Sequence, residues 1–142
     1  MVIVITLILQ ILVAFFARNV TNSSVIVVPS PASVGNMVNI SGVVSDEADN
    51  PLVGVSVTIV LSSGGSNTSY NRVTDTNGLW VLEYVVPDNV TPGTDITVIM
   101  NWNGNESYYG FNNSTSFRIL INTNSTIIIP TGPVTVGSVF TI

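Results

Sequence analysis

An all-β sandwich of seven short strands is the fold this sequence predicts, and three observations predict it. Apolar and polar residues alternate with a period of two in five separate runs, so each run buries one face of a strand. Clusters of Pro, Gly, Asn and Asp separate the runs at short, regular intervals. Beyond the first eighteen residues no stretch carries a capped helical period. Two packed antiparallel sheets are the expected way to bury such faces.

The chain opens on MVIVITLILQILVAFFAR, residues 1–18, which has no charge before Arg18 and is broken only by Thr6 and Gln10. This segment is expected to be helical and to serve as an export signal or membrane anchor. A buried core element and a pilin-type assembly helix are the alternatives. The sandwich is expected over residues 22–122. SVIVVP, Ser24 to Pro29, supplies its first strand. VNISGVV aims Val38, Ile40, Gly42 and Val44 at one face. VSVTIVL does the same with Val55, Val57, Ile59 and Leu61. TSYNRVT, Thr68 to Thr74, is the fourth strand. LWVLEYVV groups Trp80, Leu82, Tyr84 and Val86. DITVIMNWN groups Ile96, Val98, Met100 and Trp102, and SFRILIN groups Phe117, Ile119 and Ile121.

The sequence also repeats itself. Ser24-Val25-Ile26-Val27-Val28-Pro29 aligns with Ser125-Thr126-Ile127-Ile128-Ile129-Pro130 at an offset of 101. Val34-Gly35 aligns with Val136-Gly137 at 102, and a Thr-Asn-Ser linker precedes both copies, at Thr21 and at Thr123. A period near 100 is too long for a solenoid unit and matches a whole small domain. Residues 123–142 are therefore expected to begin a second, truncated repeat, or to act as a donor strand for a neighbouring copy.

SGVVSDEADNPLVGVSVTIV followed by TDTNGLWVLEY resembles the immunoglobulin-like (Big-type) β-sandwich repeats of adhesin-like bacterial and archaeal surface proteins. It is also similar to carboxypeptidase-regulatory-like and transthyretin-like sandwiches. Gly42, Pro51, Gly54, Thr74, Asp75, Gly78 and Trp80 carry the likeness, which covers about residues 24–122. NWNGNESYYGFNNSTSF looks like the final hairpin of such repeats, with Tyr108, Tyr109 and Gly110 at its turn. The resemblance implies an immunoglobulin-like Greek-key sandwich and an exported, non-catalytic role in stalks and adhesins.

Composition excludes several function classes. Hydrophobic residues make up 46 % of the chain and charged residues 8 %, against roughly 25 % charged in ordinary soluble domains. Arg18, Arg72 and Arg118 are the only basic residues, and the net charge is −5. No basic patch for nucleic acid can be built from them. Cys and His are absent, which removes disulfides, thiolate chemistry and the commonest general base. Lys is absent too, so no Lys–Asn isopeptide staple forms.

Three groups of residues remain as candidate sites. The Asn-x-Ser/Thr sequon occurs nine times, at Asn19, Asn22, Asn39, Asn67, Asn89, Asn105, Asn112, Asn113 and Asn124. Sixteen asparagines in a chain about one-fifth Ser and Thr give roughly three or four by composition alone. The excess points to N-glycosylation on exported surface loops; polar solvation is the alternative. Asp46, Glu47 and Asp49 cluster in one turn, with Asp75 expected at the same end. Oxygens from two loops suit calcium, the one candidate ion, with no other cofactor expected; a solvated turn is the alternative. Tyr108 and Tyr109 are candidates for stacking on a sugar, whereas Trp80 and Trp102 are expected in the core.

The expected function is an exported structural or adhesin-like repeat module that projects binding domains from the cell surface, without catalysis. Its partners would be neighbouring repeats, other surface proteins or glycans, with the membrane reached through residues 1–18. Two alternatives stand beside it. One is an extracellular filament subunit assembled from identical copies by strand donation. The other is a carbohydrate-binding module, in which glycan-array binding is lost on replacing Tyr108 and Tyr109 with Ala.

Overall fold

The computed structural model describes residues 18–121. Among these the chain forms eight strands and no helix: β1 (Thr21–Ser23), β2 (Ile26–Val28), β3 (Met37–Asp46), β4 (Ser56–Ser63), β5 (Ser66–Val73), β6 (Leu79–Val85), β7 (Asp95–Gly104) and β8 (Tyr109–Arg118). The helix expected over residues 1–18 lies outside the described residues, apart from Arg18, and so do residues 123–142. The strands form two antiparallel sheets, one built on β1, β2, β3 and β6, the other ordered β5-β4-β7-β8.

Eight strands replace the seven expected because the first one is interrupted. β1 and β2 lie on one side of β3 in a single register, Thr21 opposite Asp46 and Ser23 opposite Val44, then Ile26 opposite Ser41 and Val28 opposite Asn39. Between them the Ser24 N–H still donates to the Val43 carbonyl, at 3.0 Å. The Val43 N–H instead donates to the Ser24 hydroxyl, at 3.1 Å. The Ser24 carbonyl turns toward Gly42. A side chain at position 42 would meet that carbonyl and the Trp80 ring, 2.8 Å away. Glycine is therefore required here by close approach. β6 flanks the other side of β3, running from Met37 opposite Val85 to Val43 opposite Leu79.

The core lies between the sheets and is made of the alternate residues the periodicity selects. Val38, Ile40 and Val44 face Val57, Ile59 and Leu61 across it, with Trp80, Leu82, Ile96, Val98, Met100 and Phe117 filling the remainder. Each buried side chain of this size contributes about 1.5–3 kcal/mol. Tyr84 and Trp102 are only partly buried. Tyr84 sits where the two sheets part, with its ring edge-on to Tyr70 at 6.4 Å. Strand β5 contributes no buried side chain, consistent with its sequence SNTSYNRV.

The C-terminal hairpin departs from expectation. Tyr109 and Gly110 belong to β8, and the turn is made by Gly104 to Tyr108. Gly104 takes φ +82°, and the Asn105 side-chain oxygen accepts the N–H groups of Ser107 and Tyr108, both at 2.9 Å. Ile119 is buried as expected, but Ile121 is 64 % exposed. The reason is that the chain leaves the strand after Arg118. Ile119 N–H goes to the Thr94 carbonyl, and Leu120 N–H to Ala32.

The two sheets are tied along one side by the N-terminal segment. Asn19 bridges Tyr108 and Ala32 bridges Ile119, both in parallel sense. The Thr21 hydroxyl donates to the Tyr109 carbonyl at 3.0 Å, and the Asn113 amide donates to the Ser23 carbonyl at 2.9 Å. Along the other side, the Arg72 guanidinium of β5 donates to the Val81 carbonyl of β6 at 3.0 Å.

Candidate functional site

The acidic turns fold as self-contained local structures. Asp46 ends β3, and its Oδ1 accepts the N–H groups of Ala48 and Asn50, both at 2.9 Å. The Asn50 side-chain amide donates to both carboxylate oxygens. These bonds to Asn50 and Ala48 hold the Asp46 carboxyl below its ordinary pKa. Asp49 adopts φ +63° at the crest of the turn. Asp75 accepts from Asn77 and Leu79 N–H, at 2.8 and 2.9 Å, in an Asx turn. The two turns do share one end of the sandwich, since Val44 N–H donates to the Gly78 carbonyl. Among the described residues no three carboxylates gather into a cation site. The oxygens of Asp46 and Asp75 serve turn amides instead.

The aromatic candidates separate in space. Tyr108 is partly buried and packs on the core beside Trp102, whose ring tilts against Phe111 at 6.1 Å. Tyr109 is 53 % exposed, with the Arg18 guanidinium 5.9 Å from its ring centre. One ring thus packs on the core while the other faces solvent beside Arg18. Trp80 is buried, and its indole N–H has no hydrogen-bond partner.

The sequons sort by what their amides do. Asn19, Asn39, Asn67, Asn89 and Asn112 are exposed. Asn39 stands in the middle of the outer sheet face, between Val28 and Glu83 in register. Asn105 uses only its oxygen, in the turn described above. Asn22 and Asn113 spend their amide nitrogens on the carbonyls of Asp46 and Ser23. A glycan on Asn113 would replace one hydrogen of the amide that donates to Ser23 and crowd one of the bonds that tie β8 to β1. Asn124 lies outside the described residues.

Hollows on the surface of the described residues include two that border the regions above. One, of about 330 Å³, opens where β5 and β6 part. Leu61 and Ile96 form its floor, and Thr68, Tyr84, Thr91 and Thr94 are among its walls. Burial raises the Tyr84 hydroxyl pKa, with Tyr70 adding to it, so this hydroxyl stays protonated near neutrality and acts only as a neutral hydrogen-bonding group. The second hollow, of about 280 Å³, lies at the opposite end, between the β3–β4 loop and the β7–β8 hairpin.

Sequence reasoning missed the positions of the two ends. The described chain enters beside Tyr108 and leaves beside Ala32, at opposite ends of β8. The ten residues of β8, at about 3.3 Å each, separate them by roughly 30 Å. The repeat offset, traced onto strand ends, is the signal that carries this information. No model of a known protein family matches the sequence, and no curated protein matches it.

Proposed function

We propose that the chain is an exported structural module: an immunoglobulin-like Greek-key sandwich that spaces or projects binding domains at a cell surface. The observation that carries this reading is the polarity of the domain, with entry and exit at opposite ends. Copies joined in sequence then add length, as a stalk requires. The internal repeat supports a further copy, and the exposed sequons suit a sparsely charged surface that glycans keep soluble. Protease shaving of intact cells tests the reading. It releases peptides of residues 18–121 if the module stands outside, and a chain that resists shaving but is cut after lysis refutes it.

One observation favours a second reading, a filament assembled by strand donation. Among the described residues β6 pairs with β3 alone, and its other edge, met there by the Arg72 side chain at Val81, suits a strand such as Ile127–Ile129 of another copy. Sedimentation of residues 18–142 separates the two. Concentration-dependent polymers support donation, and a monomer supports the spacer.

A further inference from the structure

The ends of the sandwich and the sequence repeat together determine how copies join. Among the described residues, Asn19 is the first held by strand pairing. Its N–H donates to the Ser107 carbonyl and its carbonyl accepts from Tyr109 N–H, both at 2.9 Å. Leu120 is the last, its N–H donating to the Ala32 carbonyl at 2.7 Å. At the offset of 101 that aligns Pro29 with Pro130, Asn19 corresponds to Leu120. At the offset of 102 that aligns Thr21 with Thr123, it corresponds to Ile121. The residue that ties off one copy, or its immediate neighbour, is thus the residue that ties on the next. One peptide unit spans about 3.8 Å, which leaves no room for a flexible connector.

Each end carries exposed apolar residues, those of the entry end standing beside the acidic turns of Asp46 and Asp75. At the entry end, Pro51, Leu52, Val53, Val55, Trp102 and Tyr108, with the polar Asn105 among them, line the 280 Å³ hollow, and Val53 is 60 % exposed. At the exit end, Leu120 and Ile121 are 43 % and 64 % exposed. Ile121 lies across Gly93, its Cδ1 3.0 Å from where a β-carbon there would stand.

We infer that consecutive copies of this sandwich abut without a linker, the exit end of one closing the apolar hollow at the entry end of the next. The array is then a stiff rod, not a string of hinged beads. This inference rests on the tandem-module reading above and adds to it the contact between modules.

The test uses a two-copy chain in which residues 18–142 run on into a second set of residues 41–121, since Ile142 corresponds to Ile40 at the offset of 102. The protein has no Cys, so Ser69→Cys in the first copy and the equivalent change in the second place two unique spin labels on exposed strand positions. Two folded copies with one narrow inter-label distance distribution are expected. A four-residue Gly-Ser insertion after Ile121, or Ile121→Asp, should broaden that distribution at least twofold. Two folded copies with a broad distribution that the insertion leaves unchanged overturn the inference and leave a flexible spacer standing. A second copy that stays unfolded, with amide signals of one sandwich only, removes the tandem reading and this inference with it.

Discussion

At the scale of single residues, Gly42 and Thr74 tolerate small changes poorly. Gly42→Ala drives a methyl into the Ser24 carbonyl and the Trp80 ring, and should cost about 1–3 kcal/mol in urea unfolding. Gly64→Ala meets nothing within 4 Å and suffers only its positive φ, a loss of about 1 kcal/mol. Equal losses for the two would show that contact at Gly42 is irrelevant. Thr74 is buried, and its hydroxyl accepts from Val55 N–H at 2.9 Å while donating to the Leu52 carbonyl at 2.6 Å. Thr74→Val strands both groups and should destabilise by about 1–3 kcal/mol; an unchanged denaturation midpoint contradicts that assignment.

Asp46 sets an acid limit on its turn. Its folded pKa lies below the ordinary value because Asn50 and Ala48 donate to it. The stabilisation is complete above the unfolded value and is lost as pH falls through the folded one. Melting temperatures should therefore drop below about pH 4, and less steeply for Asp46→Asn; parallel curves would exonerate the carboxylate. The Asx turn of Asp75 and the glycine at Gly78 were legible from the sequence, since turn chemistry is local. The unpaired Trp80 N–H was not, because it depends on where a neighbouring strand sends its carbonyls.

At the scale of elements, the period of two located five of the strands and nearly every buried position on them. It failed where a strand changes partners. Ile121 continues the alternation that buries Phe117 and Ile119, yet faces outward because Leu120 bonds to Ala32 instead of a β8 neighbour. The interruption at Ser24 is invisible to periodicity, since it keeps register and changes only which oxygen accepts. Among the candidate sites, the sequons could be listed from the sequence but not ranked. Ranking depends on partners 24 and 90 residues away in the chain, Asp46 for Asn22 and Ser23 for Asn113. If the protein is glycosylated, peptide mapping by mass spectrometry should find Asn39, Asn67, Asn89 and Asn112 occupied, with Asn113 bare. A fully occupied Asn113 would show that the Ser23 bond is dispensable. The exposed Asp95–Arg118 pair, 3.8 Å apart, joins register partners of β7 and β8 and adds at most about 1 kcal/mol.

At the scale of the whole molecule, the buried residues of both sheets form one core among the described residues. Phe117→Ala removes a buried ring close to the exit end, and should cost about 3–5 kcal/mol in a single cooperative transition. Separate transitions for the two sheets would contradict one shared core. The parallel bridges at Asn19 and Ala32 bear on how such a molecule carries a load. A pull between the first and last described residues acts along β1, β2 and β8 in opposite directions. The bonds at Ser107, Tyr109, Ser23 and Arg118 are then strained together, as in shear, instead of parting one by one like a zipper. Tension borne from end to end meets the domain in its most resistant direction.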